Sequence, residues 1–511
     1  MKIRVLVPMM ALLMVACESV GPNYHRPELA APKQWSVDSA KSMQTEQWWK
    51  IFNDAILNGL IKDAIAANLD LKQALVRIKD TRAQRSAIFA AALPSLTAKT
   101  NISRRLNNTS VGAQSGGAGG GFGVGNQLIN IFQLGFDAQW ELDFFGGARR
   151  AAEAADATLE SDIESSRDVL VSLLAEVARN YIALRGQQKL QEITLKNLEA
   201  QQETEQLTEI RQQSGLSSSL DVVQAQALVA TTLADVASSQ TQIQQSIHTL
   251  SVLLGREPNA LMSRLNHINV THLTTSGQAA TPMAGTTVIP DLPSELLKRR
   301  PDIRRAERLM ASASANIGIA TAELYPKINL LAFLGLQNSS IKDFTPLGKS
   351  WSTAASLTMP IFNWGQLKAN IKSKQAQSEL AFLTYQSTVL NAFKEVEDAL
   401  VACTQEKQRY QALDQAVEAN QLAVHLATER YETGLTGFID VLNSQQSLYQ
   451  TQAELTRSEA DISTQLVALY KALGGGWQTE AKVNDTCARC QKNIAEQLYN
   501  LTKPKGGSNA K

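Results

Sequence analysis

The chain has 511 residues, with 49 basic and 48 acidic side chains, 6% aromatic residues and four cysteines. So even a charge balance, with no basic tract, excludes the phosphate-neutralising surface that nucleic-acid binding requires. Few aromatics beside abundant Ala, Gln, Leu and Ser favour long helices over large compact cores.

Residues 1–16, MKIRVLVPMMALLMVA, place Lys2 and Arg4 before an apolar run too short to cross a bilayer comfortably, and the small Ala16 precedes Cys17. This is the pattern of a signal peptide ending at a lipidated cysteine. A covalent lipid on Cys17 is the one non-protein group expected, and no cofactor is. Removing the signal leaves 47 basic against 48 acidic groups. Residues 17–53, opening CESVGPNYHRPELAAPKQW, are Pro-rich without apolar periodicity and predict an extended tether.

A first repeat is expected over 54–255. Helical periodicity over 54–92 stops at Pro94, and period-two alternation then marks a strand pair within 95–143. In the second of these strands Leu134, Phe136, Ala138, Trp140 and Leu142 alternate with Gln133, Gly135, Asp137, Gln139 and Glu141. The glycine-rich stretch SVGAQSGGAGGGFGVGN joins the pair. A long helical hairpin over 151–255 turns at Gly215, its outgoing arm reaching on the order of 90 Å.

Residues 256–290 read as an irregular linker, in which His267 and His272 are surface residues. The second repeat, 291–474, has the same order: a helix over 293–323 ended by Pro326, a strand pair over 327–361 and a hairpin over 366–474 turning at Gly434. Cys403 sits in this hairpin as a small core residue. Residues 475–511 form a tail whose Cys487 and Cys490 lack the further ligands a metal site needs, so no metal is expected there but a local disulfide or no function.

Gly215 and Gly434 lie 219 positions apart, as do Asp221 and Asp440. The seven-residue register Val222, Val229, Val236, Ile243, Leu250 recurs at the same offset as Val441, Leu448, Leu455, Ile462, Leu469. A repeat of heptad-patterned helices closed by matching turns signals a duplicated coiled coil.

Strands apolar on one side and polar on the other, behind a signal peptide and lipid anchor, suit the wall of a membrane barrel. Gln133, Asp137, Gln139 and Glu141 would then face its lumen. Beyond residue 16 the long apolar run of a transmembrane helix is missing. Four strands cannot close, because small membrane barrels need about eight and an open edge in lipid leaves backbone groups unpaired. Several chains must share one barrel: two copies give eight strands and three give twelve. No nucleophile, metal cluster, phosphate loop or carboxylate pair occurs in a catalytic context, so an enzyme is not expected.

The motifs GPNYHRP, WELDFFGGARR, KRRPDIRRAER, ELYPKINL and PIFNWGQLKANI together resemble the TolC-like outer-membrane efflux factors, in the lipoprotein branch that serves RND-type tripartite pumps. The likeness covers nearly the whole chain after the signal. It implies a membrane β-barrel joined to a coiled-coil helical barrel: a homotrimer with four strands per chain, twelve in all, and a helical tunnel in the periplasm. It also implies a passive exit duct in the bacterial outer membrane, engaged by a periplasmic membrane-fusion adaptor and an inner-membrane RND-type transporter. Two rivals stay open, an outlet for protein secretion on the same fold and a periplasmic coiled-coil scaffold without a channel.

By the same resemblance, Asp440 matches an acidic ring at the periplasmic constriction, and Asp221 and Tyr431 match a link between neighbouring coiled coils. Asn443 stands where some relatives carry a second Asp, so a trimer presents three carboxylates there rather than six. Thr436 replaces an Arg used in another gate link. Gly215, Leu216 and Ser217, with Gly434, Leu435 and Thr436, match the tips that meet the adaptor. The residues alone also allow a plainer role: Asp221 and Asp440 follow Ser218 and Gly437 by three positions, as carboxylates that cap helix starts do.

Overall fold

A computed structural model describes residues 19–29, 32, 35, 46–108, 126–266, 293–340 and 349–478. Cys17, His267, His272, Cys487 and Cys490 therefore lie outside the described residues. In chain order the elements are α1 (Ala55–Ala67), α2 (Leu69–Ala91), β1 (Ser95–Asn108), β2 (Asn126–Leu142), α3 (Gly147–Gln213) and α4 (Ser219–Leu253). Then come α5 (Met262–Leu265), α6 (Pro293–Arg299), α7 (Pro301–Ala322), β3 (Lys327–Asn338), β4 (Lys349–Thr358), α8 (Gln366–Glu432) and α9 (Phe438–Ala472). The chain divides into a strand unit (1–27, 78–161, 306–385) and a helical unit (28–77, 162–305, 386–511).

In the strand unit the four strands form one antiparallel sheet in sequential order. The register puts like with like: Leu96 faces Ala138, Ala138 faces Ala332, and Ala332 faces Thr353. One row on, Ala98, Phe136, Leu334 and Trp351 run across the same face. Because side chains alternate with period two, this register makes one apolar surface spanning all four strands. Leu96, Phe136, Leu334, Trp351 and Leu357 on it are exposed.

The opposite face is less polar than its β2 residues imply. It carries the row Thr97, Asp137, Phe333, Ser352, and Phe333 is buried there although both its strand neighbours face the other way. The adjacent row pairs Gly135 with Gly335. A Cβ on Gly135 would stand 2.6 Å from the Phe333 ring, and one on Gly335 2.8 Å from it. The ring covers backbone that the two glycines leave bare, a cross-strand pairing that compensates glycine in sheets.

Residues 19–27 have no regular structure and are clamped within this unit. Arg150 donates to Val20 O (3.1 Å), Gly21 O (3.3 Å) and Asn23 Oδ1 (2.7 Å), and Val20 N donates to Phe145 O (3.1 Å). The Tyr24 hydroxyl donates to Glu307, which Arg308 also holds at 2.5 Å. Burial works against the Glu307 charge, but the bonds from Arg308 and Tyr24 outweigh it and keep the carboxyl below its usual range. Burial, then that carboxylate, pushes the Tyr24 phenol upward.

The helical unit has the larger core. The seam residues Leu170, Leu174, Val177, Tyr181 and Leu184 are all buried, with Ile243, Leu250 and Leu254 against them. Val389, Phe393, Val396 and Leu400 are buried too, whereas Cys403 is only partly so. Partial burial still raises its thiol to about 11, which makes it inert at neutral pH.

Several elements differ from the sequence reading. Residues 48–52, expected in an extended tether, form a 3-10 turn that buries Trp48, Trp49 and Phe52, with Trp48 stacked on Tyr470 at 5.2 Å. Aromatic burial outweighs the loop-like composition around it. The helix expected over 54–92 breaks at Asn68, whose Oδ1 caps Leu71 N (2.9 Å) while its amide reaches Leu253 O (2.8 Å). The helix over 293–323 breaks at Arg300, because the residue before a proline is driven out of helical geometry. Buried Arg300 bridges Asp302, Glu395 (2.7 Å) and Ala472 O (2.7 Å).

The linker over 256–290 is not irregular throughout: a 3-10 turn over Pro258–Leu261 and α5 bury Leu261 and Leu265 in the core. Trp477, assigned to the tail, lies within the unit, donating to Arg299 O (3.2 Å) with the Arg167 guanidinium over its ring at 4.6 Å. By length and composition α4 is apolar enough to cross a membrane, contrary to the sequence reading. Its Ala225, Val229, Ile243, Ile247 and Leu250 are buried within the chain, while Leu220, Val223, Leu233 and Val252 are exposed.

Candidate functional site

Each long hairpin turns through the same five-residue device. After α3, Gly215 N donates to Gln212 O (2.9 Å) and Leu216 N to Arg211 O (2.8 Å); after α8, Gly434 N donates to Tyr431 O (3.0 Å) and Leu435 N to Arg430 O (2.8 Å). These paired bonds are the Schellman closure, which needs a left-handed residue just past the helix. Gly215 and Gly434 supply it at φ 72° and 73°, with nothing within 4 Å of an added Cβ. Backbone conformation alone requires glycine there.

The restarts of the two helices differ. Ser218 and Asp221 form a reciprocal capping box: Asp221 N reaches Ser218 Oγ (3.4 Å) and Ser218 N reaches Asp221 Oδ2 (3.3 Å). Gly437 caps α9 without a side-chain bond. Asp440 and Asn443 are exposed, and among the described residues no partner bonds either side chain.

The tips are joined within the chain by an aromatic cluster. Tyr431 is 5% exposed and Phe438 2%, their rings 5.5 Å apart, packed with Val441 and with Ala225 of the first hairpin. The Arg211 guanidinium lies 4.7 Å over the Tyr431 ring and donates from Nη1 to Glu432 O (3.2 Å). A cation over a buried ring is worth more than at an exposed one, on the order of 2 kcal/mol. Further along, Gln445 Nε2 donates to Thr204 Oγ1 (3.0 Å).

Tyr431 is therefore brought to Arg211 and Phe438 rather than to Asp221, whose carboxylate serves the cap. Arg211 and Phe438 escaped the sequence reading. Phe438 was signalled by a break in the repeat, since the 219-residue offset sets Phe438 against Ser219 and Tyr431 against Gln212, whereas Arg211 has Arg430 as its counterpart and carried no such signal.

Several polar atoms at this level are buried without a partner among the described residues: Tyr431 Oη, Arg211 Nε, Ser217 Oγ and Thr436 Oγ1. Such groups cost roughly 1–3 kcal/mol when left unmatched. Around them Leu216, Leu220, Leu435 and Ile439 are exposed. Among the described residues no group of His, Cys, Asp and Glu has the arrangement of a metal site.

The sequence pattern of the outer membrane efflux protein family matches residues 60–256 and 292–475, which hold both repeats. This chain belongs to the outer membrane efflux protein family. Nodulation protein T of Rhizobium leguminosarum bv. trifolii is 31% identical over 487 residues, covering 94% of this chain and 98% of that protein. The pyoverdine export outer membrane protein OpmQ of Pseudomonas putida is 32% identical over 485 residues, 92% and 97% of the two chains. The solved structure of the outer-membrane channel OprN is 32% identical and superposes with a TM-score of 0.79, covering 90% of this efflux protein and 99% of that chain. The protein is an outer-membrane efflux component, from a family of ducts and not of enzymes, and the TolC-like resemblance is borne out.

Proposed function

We propose that this efflux protein is the passive exit duct of a tripartite pump, three copies completing one twelve-stranded barrel. The observation that carries the reading is the sheet: four strands with an apolar face exposed from edge to edge, and β1 and β4 each paired on one side only among the described residues. In lipid such edges must be paired, and neighbouring copies are the partners of matching length. The lipid on Cys17 anchors the chain, and energy comes from an inner-membrane RND-type transporter through a periplasmic adaptor.

The tips are the gate and the docking end. Arg211, Tyr431 and Phe438 tie the two hairpins of one chain into a unit that moves as one. Asp440, without a side-chain partner among the described residues, supplies one carboxylate per copy to the constriction, and Asn443 adds none. Asp221 meets the neighbouring copy at the same level, and Tyr431 joins that link when the cluster that buries it opens. Gly215, Leu216 and Ser217, with Gly434, Leu435 and Thr436, form the surface an adaptor covers, and the exposed Leu216 and Leu435 supply its apolar part.

Single-channel recording in planar bilayers tests this reading. Wild-type protein should pass a small cation-preferring current, and Asp440→Ala should raise the current and weaken the preference. A protein that inserts and passes no current under any condition would sink the duct.

A further inference from the structure

The apolar face of the sheet has a border. Its run free of charges and amides ends at Ile102 on β1, Phe132 on β2, Leu336 on β3 and Trp351 on β4. The next residues on the same face are Arg104, Asn130, Asn338 and Lys349, and among the described residues only Leu106 and Leu128 lie apolar beyond them. Arg104 and Asn130 pair directly, while Asn338, opposite Phe132, lies two residues back along the strands and Lys349, opposite Leu336, lies four back. Four residues are about 13 Å along a strand, against about 14 Å across three strand spacings. The border therefore slopes at about 40° to the paired rows, within the tilt of roughly 35–45° at which barrel strands cross a membrane.

The height of the face agrees with that plane. On β2 the apolar run from Leu142 to Phe132 covers ten residue steps, which at that tilt is about 25 Å, the height of an outer-membrane apolar band. Phe132 and Trp351 place aromatic rings at the border, as the girdles of such barrels do, and Trp351 is 74% exposed. Among the described strand residues, Arg104 and Lys349 are the only charged side chains on this face; Lys99, Arg105, Asp137, Glu141 and Lys327 all lie on the other. Both are exposed, and neither forms an ion pair among the described residues.

We propose that Arg104 and Lys349 bind the phosphate groups of a phosphorylated glycolipid in the outer leaflet and so set the height at which the barrel sits. This rests on the reading of the apolar face as the barrel wall and adds a ligand to it. A charge on the lipid side of a barrel is costly at the midplane and nearly free at the interface, so two cations on this face mark where the hydrocarbon ends. β2 and β4 run on toward α3 and α8, the periplasmic helices, from their opposite ends, so the border faces outward. Two cations with no carboxylate beside them on that face select an anionic partner. The Arg104 fork fits two oxygens of one phosphate, and Lys349 serves as a point charge for another.

Native mass spectrometry of the detergent-extracted full-length assembly, titrated with lipid A, tests the site. Wild-type protein should retain the lipid, and Arg104→Gln/Lys349→Gln should bind it at least about tenfold more weakly through loss of two charge-assisted contacts. Arg104→Lys/Lys349→Arg should keep most of the binding. Lys99→Gln/Arg105→Gln, which removes the same charge from the opposite face, should keep all of it. Dephosphorylated lipid A should bind wild-type protein as weakly as lipid A binds the first variant. Displacement of lipid A by millimolar inorganic phosphate would make this a site for the free ion and overturn the lipid. Equal binding by the two Gln variants, in protein that floats with vesicles of lipid A and phosphatidylethanolamine, overturns the site and leaves the barrel wall standing; protein that does not float with those vesicles overturns both.

Discussion

The two hairpin tips have one backbone and two chemistries. Both close on a left-handed glycine with the same pair of hydrogen bonds, but the first restarts from the Ser218–Asp221 box while the second restarts from a bare glycine and buries Tyr431 and Phe438. Geometry shared after duplication is what any hairpin needs; side chains that diverged mark where the copies took different tasks. The first tip spends its carboxylate on its own helix, and the second leaves Asp440 available and supplies the aromatic contact that joins the pair.

The largest break in this comparison is Phe438→Ala. Emptying a site that is 2% exposed should cost about 3–5 kcal/mol locally. Hydrogen exchange should then accelerate at 431–441, whereas the repeat-equivalent Ser219→Ala, at an exposed position, leaves its tip unchanged. If the two variants behave alike, the aromatic cluster does not distinguish the tips.

Next come Gly215→Ala and Gly434→Ala. The left-handed conformation costs a residue with a Cβ about 1–2 kcal/mol, and since neither site has a neighbour within 4 Å the penalties should match. Unequal losses in thermal unfolding would show that something besides φ selects one of them. Ser218→Ala should then loosen the first turn of α4 by about 1 kcal/mol through loss of its cap. Smallest is Gly437→Ser, which supplies the missing cap and should slow exchange in the first turn of α9 by an amount worth a few tenths of a kcal/mol.

Much of this was legible in the sequence, for identifiable reasons. Gly215 and Gly434 stood out because a helix end in the left-handed region admits few other residues, and the seam from Leu170 to Leu184 because heptad spacing is a direct image of packing. The strands were legible from alternation, and shared chains followed from counting them. What escaped depends on distant partners. The ring of Phe333 over Gly135 and Gly335 requires the register between β2 and β3, and Tyr431 under Arg211 requires residues 220 positions apart to meet. Asn68 and Arg300 broke helices that periodicity joined, because a cap or a following proline acts on one residue while periodicity averages over many. Among the site residues, Asp221 was legible as a cap from its spacing to Ser218.

The central claim is that a sheet of four strands is completed by copies of the same chain, and native mass spectrometry of the detergent-extracted protein tests it most directly. Three times the mass of the processed, lipidated chain is the predicted result. A stable one-chain species that retains its apolar sheet face in the detergent belt would contradict it.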